Sequence, residues 1–275
     1  MKNIIVPVDF SANSIYALEQ AINIANTIEA DIKMLHVRKS KSFEKPFDFK
    51  DFEKTQGLSV SDFFEKILKK YSKRIKTKAD YEIREGKIYR EIINKADSEK
   101  AYMIVMGTHG VSGFEEFWAG SNAFKVVIHS RCPVLTIRSG FLKRKIKKIV
   151  LPLDVSRETR QKVTFTTEFA KSFNAHIHVC SVRESNAPNV VKRLENHTKQ
   201  VCDYIKEHGV NCSDEHLFGS NITESTIEYA LGIDAQLIVI MTEQTESAKN
   251  LMLGPYAQQM VNHSPVPVLS YPSKV

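Results

Sequence analysis

The sequence predicts an α/β protein in which two tandem domains each contain a five-stranded parallel sheet with helices on both faces. Short, nearly continuous apolar runs alternate with longer amphipathic stretches along the chain. Such runs are typical of strands covered on both sides, and their alternation with helices indicates parallel pairing through right-handed crossovers. The pattern also occurs twice, which indicates a duplication.

Three segments of the first half recur in the second half. Two recur at an offset of 145 and one at an offset of 134: residues 2–11 at 147–156, 32–37 at 177–182, and 132–135 at 266–269. The loss of eleven residues is most simply placed in the connection after the second strand of the second repeat. We therefore expect two domains, over residues 1–140 and 146–275.

The predicted strands and helices follow from the spacing of the apolar residues, which differs between the two kinds of element. In the first repeat we predict strands near 3–9, 31–37, 79–85, 102–107 and 133–138. The helices between them are predicted near 13–28, 61–77, 87–98 and 120–130. In the helix over 13–28 the apolar residues recur at helical spacing, and we interpret that stripe as core. In the second repeat we predict strands near 147–153, 175–182, 210–217, 236–242 and 266–271.

Composition limits the class of protein. The 275 residues are 42% hydrophobic and 26% charged, which is ordinary for a globular chain, and no apolar run is long enough to span a bilayer. Residues 1–9 enter a strand pattern directly, without the organisation of a secretory signal. Four scattered cysteines are too few for a disulfide scaffold. We therefore expect a cytoplasmic protein without a membrane partner.

The formal net charge of +7 invites a nucleic-acid interpretation. Five basic residues lie within residues 143–148, where the two repeats join. Charge runs of this kind are usually solvated, so we interpret this segment as a linker, with a nucleic-acid contact as the alternative.

A cluster of glycines marks the candidate site of the first repeat. Four of the eleven glycines fall within residues 107–120, between the apolar run 103–106 and a helix-like stretch over 122–128. Glycines let the backbone approach an anion, and a helix N-terminus presents unpaired N–H groups to it. A strand, a glycine loop and a helix start are the parts of a phosphate site. A turn loop without a ligand is the structural alternative.

Other strand ends are expected at the same crevice. In an open parallel sheet, ligands bind beyond the carboxyl ends of the strands where the strand order reverses. If the first and fourth strands are neighbours there, Asp9 and Gly107 both end at that crevice, and Val37 ends the second strand on the same edge. The Asp9 carboxylate can accept from ribose hydroxyls or a base amine. Ser121 opens the next helix, where it can bond phosphate oxygens or cap the helix.

These residues resemble the ATP-binding signature of the universal stress protein family, which is Gly-x-x-Gly, nine residues and Gly-Ser. The matching segments are Gly107-x-x-Gly110 with Gly120-Ser121, the first strand Val6–Ser11, the second strand Leu35–Val37 and the closing strand Cys132–Leu135. The resemblance covers essentially the whole chain, as two such domains in tandem. It implies a five-stranded parallel sheet in each domain. It also implies pairing through the last strands, and hence an intramolecular pseudo-dimer or a homodimer.

The resemblance further implies which residues bind ATP. Pro7, Asp9 and the backbone of Val37 would surround the adenine and ribose, with Gly107 beside the ribose. Phosphate contacts, mostly through the main chain, would come from His109, Gly110, Gly120, Ser121 and Asn122. The family's metal, where present, is held largely by phosphates and water. We therefore predict that any Mg²⁺ arrives with the nucleotide and that the protein has no metal cluster of its own.

The second repeat departs from this signature. Alignment of the closing strands places Met241, Gln244 and Gly254 at the positions of the three signature glycines, and Pro255 at the position of Ser121. The first two side chains would crowd the phosphate path, Glu243 and Glu246 add negative charge, and proline removes an N–H donor. Asp154 persists at its strand end. We predict that this domain has lost triphosphate binding and serves as a built-in dimer partner; binding of adenosine or another small ligand stays open.

Three other motifs or residue clusters are not interpreted as functional sites. The chain has no Gly-x-x-x-x-Gly-Lys-Ser/Thr motif. His176, His178 and Cys180 share one strand face, but we expect a helix to cover that face, so we interpret them as packed side chains. Cys132, at a strand entrance, is interpreted as inert core.

Three functions follow, in order of preference. The first is a nucleotide-responsive stress or regulatory module that is at most a weak ATPase, because no acid/base pair is visible around the glycine loop. The second is a slow nucleotide hydrolase or nucleotidyl transferase, for which Lys125 and Glu115 are the nearest γ-phosphate candidates. The third is a nucleotide-free module that binds a protein partner or, through the basic linker, nucleic acid.

Overall fold

The computed structural model describes nine stretches of the chain. They are residues 2–38, 59–108, 121–138, 145–153, 161–183, 186–219, 221–242, 244–247 and 250–273. The chain divides into two compact units, unit 1 over Met1–Ser139 and unit 2 over Gly140–Val275. Each contains five parallel strands and flanking helices, which is the predicted α/β class. Across these stretches, every helix is too short or too polar to traverse a lipid bilayer.

Unit 1 alternates strands and helices from end to end. Its strands are β1 (Lys2–Pro7), β2 (Ala30–Arg38), β3 (Ala79–Glu85), β4 (Met103–Gly107) and β5 (Val134–Ile137). Its helices are α1 (Ala12–Ile28), α2 (Val60–Tyr71), α3 (Ile88–Ser98) and α4 (Ser121–His129). Consecutive residues of β1 and β4 are buried, as expected for strands covered on both faces.

The strand order of unit 1 is β3-β2-β1-β4-β5, and all neighbouring pairs are parallel. The chain moves outward from β1 through β2 to β3, then crosses back to β4 on the other side of β1. The order therefore reverses between β1 and β4, as the sequence led us to expect. This is the topological switch point at which open α/β sheets bind ligands.

Helix α2 is shorter than predicted. It ends at Tyr71, whereas periodicity placed its end near residue 77. Tyr71 is buried, and its hydroxyl donates to Glu19 Oε1 at 2.8 Å. The following residues turn back, with the N–H groups of Arg74 and Ile75 donating to the Tyr71 carbonyl. Tyr71 is thus the last residue of the buried stripe, and the polar residues after it have no apolar face to keep them helical.

Unit 2 repeats the arrangement. Its sheet strands are β6 (Lys148–Leu153), β7 (His176–Arg183), β8 (Cys212–Phe218), β9 (Leu237–Thr242) and β12 (Val268–Pro272), in the parallel order β8-β7-β6-β9-β12. Its helices are α5 (Gln161–Phe173), α6 (Pro188–Glu207), α7 (Ile222–Gly232) and α8 (Pro255–His263).

Sheet registers locate the length difference between the repeats. Ile32 pairs with Ala79, and its counterpart Ile177 pairs with Cys212. The offset between the units is therefore 145 at β2 and β7, but 133 at β3 and β8. At the closing strands Ile104 pairs with Val134, and Ile238 with Val268, an offset of 134. The missing residues thus lie after the second strand of unit 2, where the sequence comparison placed them.

One element of unit 2 was not predicted. A two-stranded antiparallel hairpin, β10 (Gln244–Ser247) and β11 (Asn250–Leu253), lies between β9 and α8. It occupies the chain segment that corresponds to the glycine loop of unit 1. The sequence pattern predicted no secondary structure in this segment.

Candidate functional site

The carboxyl ends of β1 and β4 in unit 1 meet at the switch point. Ile4 pairs with Met103 and Ile5 with Ile104, so the two strands finish at the same level. Asp9 follows the end of β1, and Gly107 is the last residue of β4. The structure therefore brings these two predicted site residues to one edge of the sheet.

Gly107 touches the first turn of α1. A Cβ atom built on Gly107 would lie 3.0 Å from the carbonyl carbon, carbonyl oxygen and Cβ of Asn13. Contacts this close are tighter than nine in ten real Cβ contacts, so a side chain at residue 107 would require the start of α1 to shift by a few tenths of an ångström. The sequence suggested that this glycine admits a ligand. The structure adds a packing reason that the sequence did not reveal.

The Asp9 carboxylate is oriented by the residues after it. Its Oδ1 accepts hydrogen bonds from the backbone N–H of Ser11 at 3.1 Å and from the Ser11 hydroxyl at 2.6 Å. Ser11 is the N-cap of α1, and its Oγ accepts from the N–H of Ser14. One short segment thus caps the helix and fixes the carboxylate through a single oxygen.

Phe10 has a backbone conformation that its side chain alone would disfavour. Its φ is 62°, in the left-handed region that bulky residues rarely adopt. The ring is buried and lies 5.1 Å, centroid to centroid, from the rings of His36, Phe63 and Phe64. Burial of the ring offsets a backbone cost of about 1–3 kcal/mol. The turn that aims Asp9 is therefore maintained by the aromatic core, and sequence periodicity gave no sign of it.

His36 joins the ends of β1 and β2. It is buried, and its Nδ1–H donates to the carbonyl of Val8 at 2.8 Å. A carbonyl can only accept, so this bond assigns the proton to Nδ1. His36 is therefore a hydrogen-bonded core histidine.

The remaining predicted residues divide into two groups. Pro7 ends β1, Val37 is half-buried near the end of β2, and Asn122 is half-buried in α4, which begins at Ser121. Pro7 pairs with Leu35 one strand away, so Pro7, Val37 and Asp9 share the carboxyl edge of the sheet. His109, Gly110 and Gly120 lie outside the described residues, as does the enzymatic candidate Glu115.

Lys125, the other enzymatic candidate, lies on α4. Its ammonium is 5.4 Å from the centre of the Tyr89 ring on α3, within the range of a cation–π contact. In the basic linker, Lys148 Nζ donates to the Ile233 carbonyl at 2.8 Å, while residues 143–144 lie outside the described part of the chain. The Lys148 ammonium is therefore already engaged within unit 2.

Unit 2 fills the corresponding strand ends differently. Met241 pairs with Tyr271 as Gly107 pairs with Ile137, so the sheet register confirms that Met241 stands in the place of Gly107. Met241 is buried. After it, the position aligned with Gly110 is Gln244, which pairs with Leu253 in the β10–β11 hairpin. Backbone groups that bond across such a ladder are not available to a phosphate. Asp154 lies outside the described residues.

A buried lysine contacts the end of the first strand of unit 2. Lys162, on α5, is 1% exposed, and its Nζ donates to the carbonyl of Pro152 at 2.7 Å. Pro152 is the counterpart of Pro7, and Lys162 is the counterpart of the buried Ala17 at the offset of 145. An ammonium thus sits at the β6 end, where unit 1 has a methyl group. Neither residue had been singled out in the sequence.

His176 and His178 belong to a polar network under α7. His176 Nε2 lies 2.9 Å from Ser213 Oγ, and His178 Nδ1 lies 3.0 Å from the Tyr229 hydroxyl. Burial, together with the nearby His176 and Lys148, lowers the pKa of His178 to about 4. These contacts confirm that a helix covers this strand face. Within the described stretches, no three histidine, cysteine or carboxylate side chains are grouped as metal ligands.

The sequence matches the model of the universal stress protein family twice, over residues 1–138 and 145–272. The chain therefore belongs to the universal stress protein family, with two family domains in tandem. Among its relatives, a universal stress protein of Methanocaldococcus jannaschii is 32% identical over 143 residues, which is 50% of this chain and 82% of that protein.

Solved structures share the tandem architecture. A universal stress protein from Archaeoglobus fulgidus covers 98% of both chains with a TM-score of 0.73 and 19% identity. A protein of unknown function from Pseudomonas aeruginosa covers 99% of this chain and 93% of its own, with a TM-score of 0.73 and 16% identity. At these identities the likeness establishes the fold only.

Proposed function

We propose that this tandem universal stress protein binds ATP in unit 1 and acts as a nucleotide-responsive regulatory module. The observation that carries the proposal is the meeting of the Gly107 backbone and the Asp9 carboxylate at the β1–β4 switch point. Ligands of open parallel sheets bind at this kind of position. Family membership and the Gly107–Ser121 signature favour an adenine nucleotide over other ligands.

The described residues fit such a nucleotide. Ser11 donates two hydrogen bonds to Asp9, and both go to Oδ1. This arrangement favours donation from ribose hydroxyls to the second carboxylate oxygen of Asp9. Pro7 and the Val37 backbone would flank the adenine at the same edge. Helix α4 begins at Ser121 and would direct its N-terminal N–H groups and dipole at the phosphates, together with Asn122.

The rest of the phosphate site is proposed from the signature alone. His109, Gly110 and Gly120 would supply main-chain contacts to the phosphates. Any Mg²⁺ would be held by phosphate oxygens and water, a coordination that suits this ion. We propose no catalytic residue. The position of Lys125 is explained by its cation–π contact with the Tyr89 ring.

Unit 2 is proposed as a structural partner of unit 1 without triphosphate binding. Met241 replaces the glycine at the end of β9, Lys162 lies at the end of β6, and the β10–β11 hairpin replaces the loop. Pro255 begins α8 and carries no N–H. Met241, the hairpin and Pro255 each remove space or an N–H donor that a triphosphate needs, and the Lys162 ammonium is buried against the Pro152 carbonyl.

Isothermal calorimetry with ATP, ADP, AMP and cAMP tests the proposal. The wild type should bind ATP with a stoichiometry of one per chain, and Gly120→Val should abolish the heat. Asp9→Ala should weaken binding at least tenfold, because hydrogen bonds to a charged group contribute about 1.5–3 kcal/mol. The matched Asp154→Ala variant should bind as the wild type does. Absence of ATP binding by the wild type would refute the proposal, and equal losses in the two aspartate variants would refute the asymmetry.

Two other measurements separate the competing functions. Turnover of bound ATP faster than about one per second would indicate an enzyme, since this rate lies near the low end of ordinary catalysis. Steeply salt-dependent DNA or RNA binding that is lost when the charges at 143–148 are neutralised would indicate a nucleic-acid module.

A further inference from the structure

Two cysteines of unit 2 lie in contact. The Sγ atoms of Cys202 and Cys212 are 3.0 Å apart. Cys202 lies on the buried face of α6, and Cys212 is the first residue of β8, to which the chain returns directly after that helix. The two residues are ten positions apart, and helix and strand periodicity alone does not predict their contact.

The contact follows from how α6 packs on the sheet. The buried residues Leu194, Val201 and Ile205 form one stripe of α6, and Cys202 lies beside that stripe. On β8, Cys212 pairs with Ile177 of β7, and side chains alternate between the sheet faces. Cys212 therefore projects from the face that α6 covers, and meets Cys202 there.

Unit 1 has no equivalent thiols. The buried stripe of α2 matches that of α6 at an offset of 134, with Val60, Phe64, Ile67 and Tyr71 corresponding to Leu194, Thr198, Val201 and Ile205. The counterpart of Cys202 is therefore Leu68. The sheet register gives Ala79 as the counterpart of Cys212. An apolar pair thus fills the same place in unit 1, so packing alone does not require two cysteines.

The two thiols differ in acidity and exposure. Cys202 is 3% exposed, whereas Cys212 is partly exposed and opens the pair to solvent. The hydrogen bond from the Cys212 thiol lowers the pKa of Cys202, and the same bond, with burial, raises the pKa of Cys212. Burial and the carboxylates of Asp214 and Asp203 oppose this lowering of the Cys202 pKa, whereas Lys206, one turn beyond Cys202 on α6, adds positive charge that favours the thiolate. Cys202 is therefore the sulfur that ionises first.

We propose that Cys202 and Cys212 form a peroxide-sensitive dithiol that closes to an intramolecular disulfide between α6 and β8. The oxidant is a small hydroperoxide such as hydrogen peroxide, which is little larger than water. The partly exposed Cys212 gives it a short path to the pair.

The reaction balances in two steps. The Cys202 thiolate attacks one peroxide oxygen; an S–O bond forms, the O–O bond breaks, and the departing hydroxide takes up a proton as water. The Cys212 sulfur then attacks the Cys202 sulfenic acid, forming the S–S bond. The departing hydroxide takes the Cys212 proton and leaves as a second water. Overall, two thiols lose two electrons to one hydrogen peroxide, which is reduced to two waters.

The disulfide would stabilise unit 2. It would link the last turns of a helix to the strand that follows and close a short loop, which restricts the unfolded chain. We expect oxidation to raise the melting temperature of unit 2 by about 5–10 °C. Unit 1, with Leu68 and Ala79 at these places, should be unaffected.

Mass spectrometry of the full chain tests the proposal. The folded protein is treated with hydrogen peroxide, denatured in acid and alkylated with N-ethylmaleimide. The reduced chain should take up label at all four cysteines, and the oxidised chain at Cys132 and Cys180 only, with a loss of about 2 mass units and a Cys202–Cys212 cross-linked peptide. Labelling of all four cysteines after peroxide treatment, or loss of label at Cys132 or Cys180 instead, would overturn the proposal.

Matched variants test whether Cys202 and Cys212, and not the other cysteines, form the disulfide. Cys212→Ser should stop at the Cys202 sulfenic acid, which dimedone traps, while Cys132→Ser and Cys180→Ser should still form the link. The double variant C202L/C212A recreates the apolar pair of unit 1. It should fold, give the circular dichroism spectrum of the wild type and show no thermal shift with peroxide. A peroxide-induced shift as large as that of the wild type in this variant would contradict the proposal.

Discussion

The first strands of the two units end in equivalent places but with different chemistry. At the end of β1, Asp9 is held by Ser11, and the residue of α1 that corresponds to Lys162 is the buried Ala17. At the end of β6, the Pro152 carbonyl instead accepts from Lys162. The strand order and registers agree between the units, so the duplication preserved the scaffold while the strand ends diverged. Function in such a pair resides in a few residues at one edge of each sheet.

The same contrast appears one strand further along. His36 donates to the Val8 carbonyl within unit 1, whereas its counterpart Ser181 pairs with His216 Nδ1 at 2.5 Å. In unit 1 the polar side chain ties β2 to the turn that carries Asp9. In unit 2 it ties β7 to β8.

The largest combined effect on stability and ATP affinity is expected at Phe10. Phe10→Val, which introduces the residue that the second repeat carries as Val155, should lower the unfolding free energy of unit 1 by about 3 kcal/mol. The ring contacts are lost, and a β-branched residue has to adopt a φ of 62°. Hydrogen-exchange mass spectrometry of β1 and β4 peptides measures the loss. ATP affinity should fall as well, because Asp9 is no longer aimed.

Phe64→Ala is the control for Phe10. It removes an aromatic neighbour from the same cluster but leaves the left-handed turn intact. It should destabilise unit 1 by about 3–5 kcal/mol, and the folded fraction should retain near-normal ATP affinity. An equal drop in affinity for both variants would show that general packing, and not the turn at Phe10, orients the carboxylate.

A smaller effect is expected at Lys162. Lys162→Met keeps the aliphatic stem but removes the donor to Pro152, so the buried carbonyl loses a hydrogen bond. The unfolding free energy of unit 2 should fall by about 1–3 kcal/mol, as measured by exchange of β6 amides. A variant as stable as the wild type would mean that removing the buried charge offsets the lost bond.

The strands could be predicted to within about two residues because β1, β4, β6 and β9 are buried on both faces and leave continuous apolar runs in the sequence. The β10–β11 hairpin could not. Its strands have four residues each, and the intervening Ala248 and Lys249 lack the glycine or asparagine that marks a two-residue hairpin turn.

The candidate site was predictable only in part. Asp9 and Gly107 were identified because strand ends converge at a switch point by topology alone. Phe10 and Lys162 were not identified. Neither a phenylalanine with a left-handed backbone conformation nor a buried lysine can be recognised from the spacing of apolar residues. They are determined by tertiary packing, and only alignment of the two repeats distinguishes Lys162 from an ordinary surface lysine of an amphipathic helix.

The smallest expected effect is a difference in acid sensitivity between the units. The pKa of His178 lies near 4 in the folded protein, below its ordinary value of about 6.5, because the ring is buried and lies near His176 and Lys148. The unfolded chain therefore binds the extra proton more readily. The contribution of His178 is complete above pH 6.5 and is lost as pH falls from 6.5 towards 4, by about 1–2 kcal/mol after allowance for partial exposure.

Unit 1 should keep its stability over that range. Lys33 occupies the place of His178 and pairs with Asp80. The pKa of Glu82 is lowered by hydrogen bonds from Lys95 and Arg84, so the stability from Glu82 is lost only below its ordinary value of about 4.3. Urea titrations between pH 7.5 and 4.5, with proteolytic peptides assigned to each unit, should show unit 2 weakening first. His178→Gln should reduce that slope, and an unchanged slope would mean that other groups, such as His176, produce it.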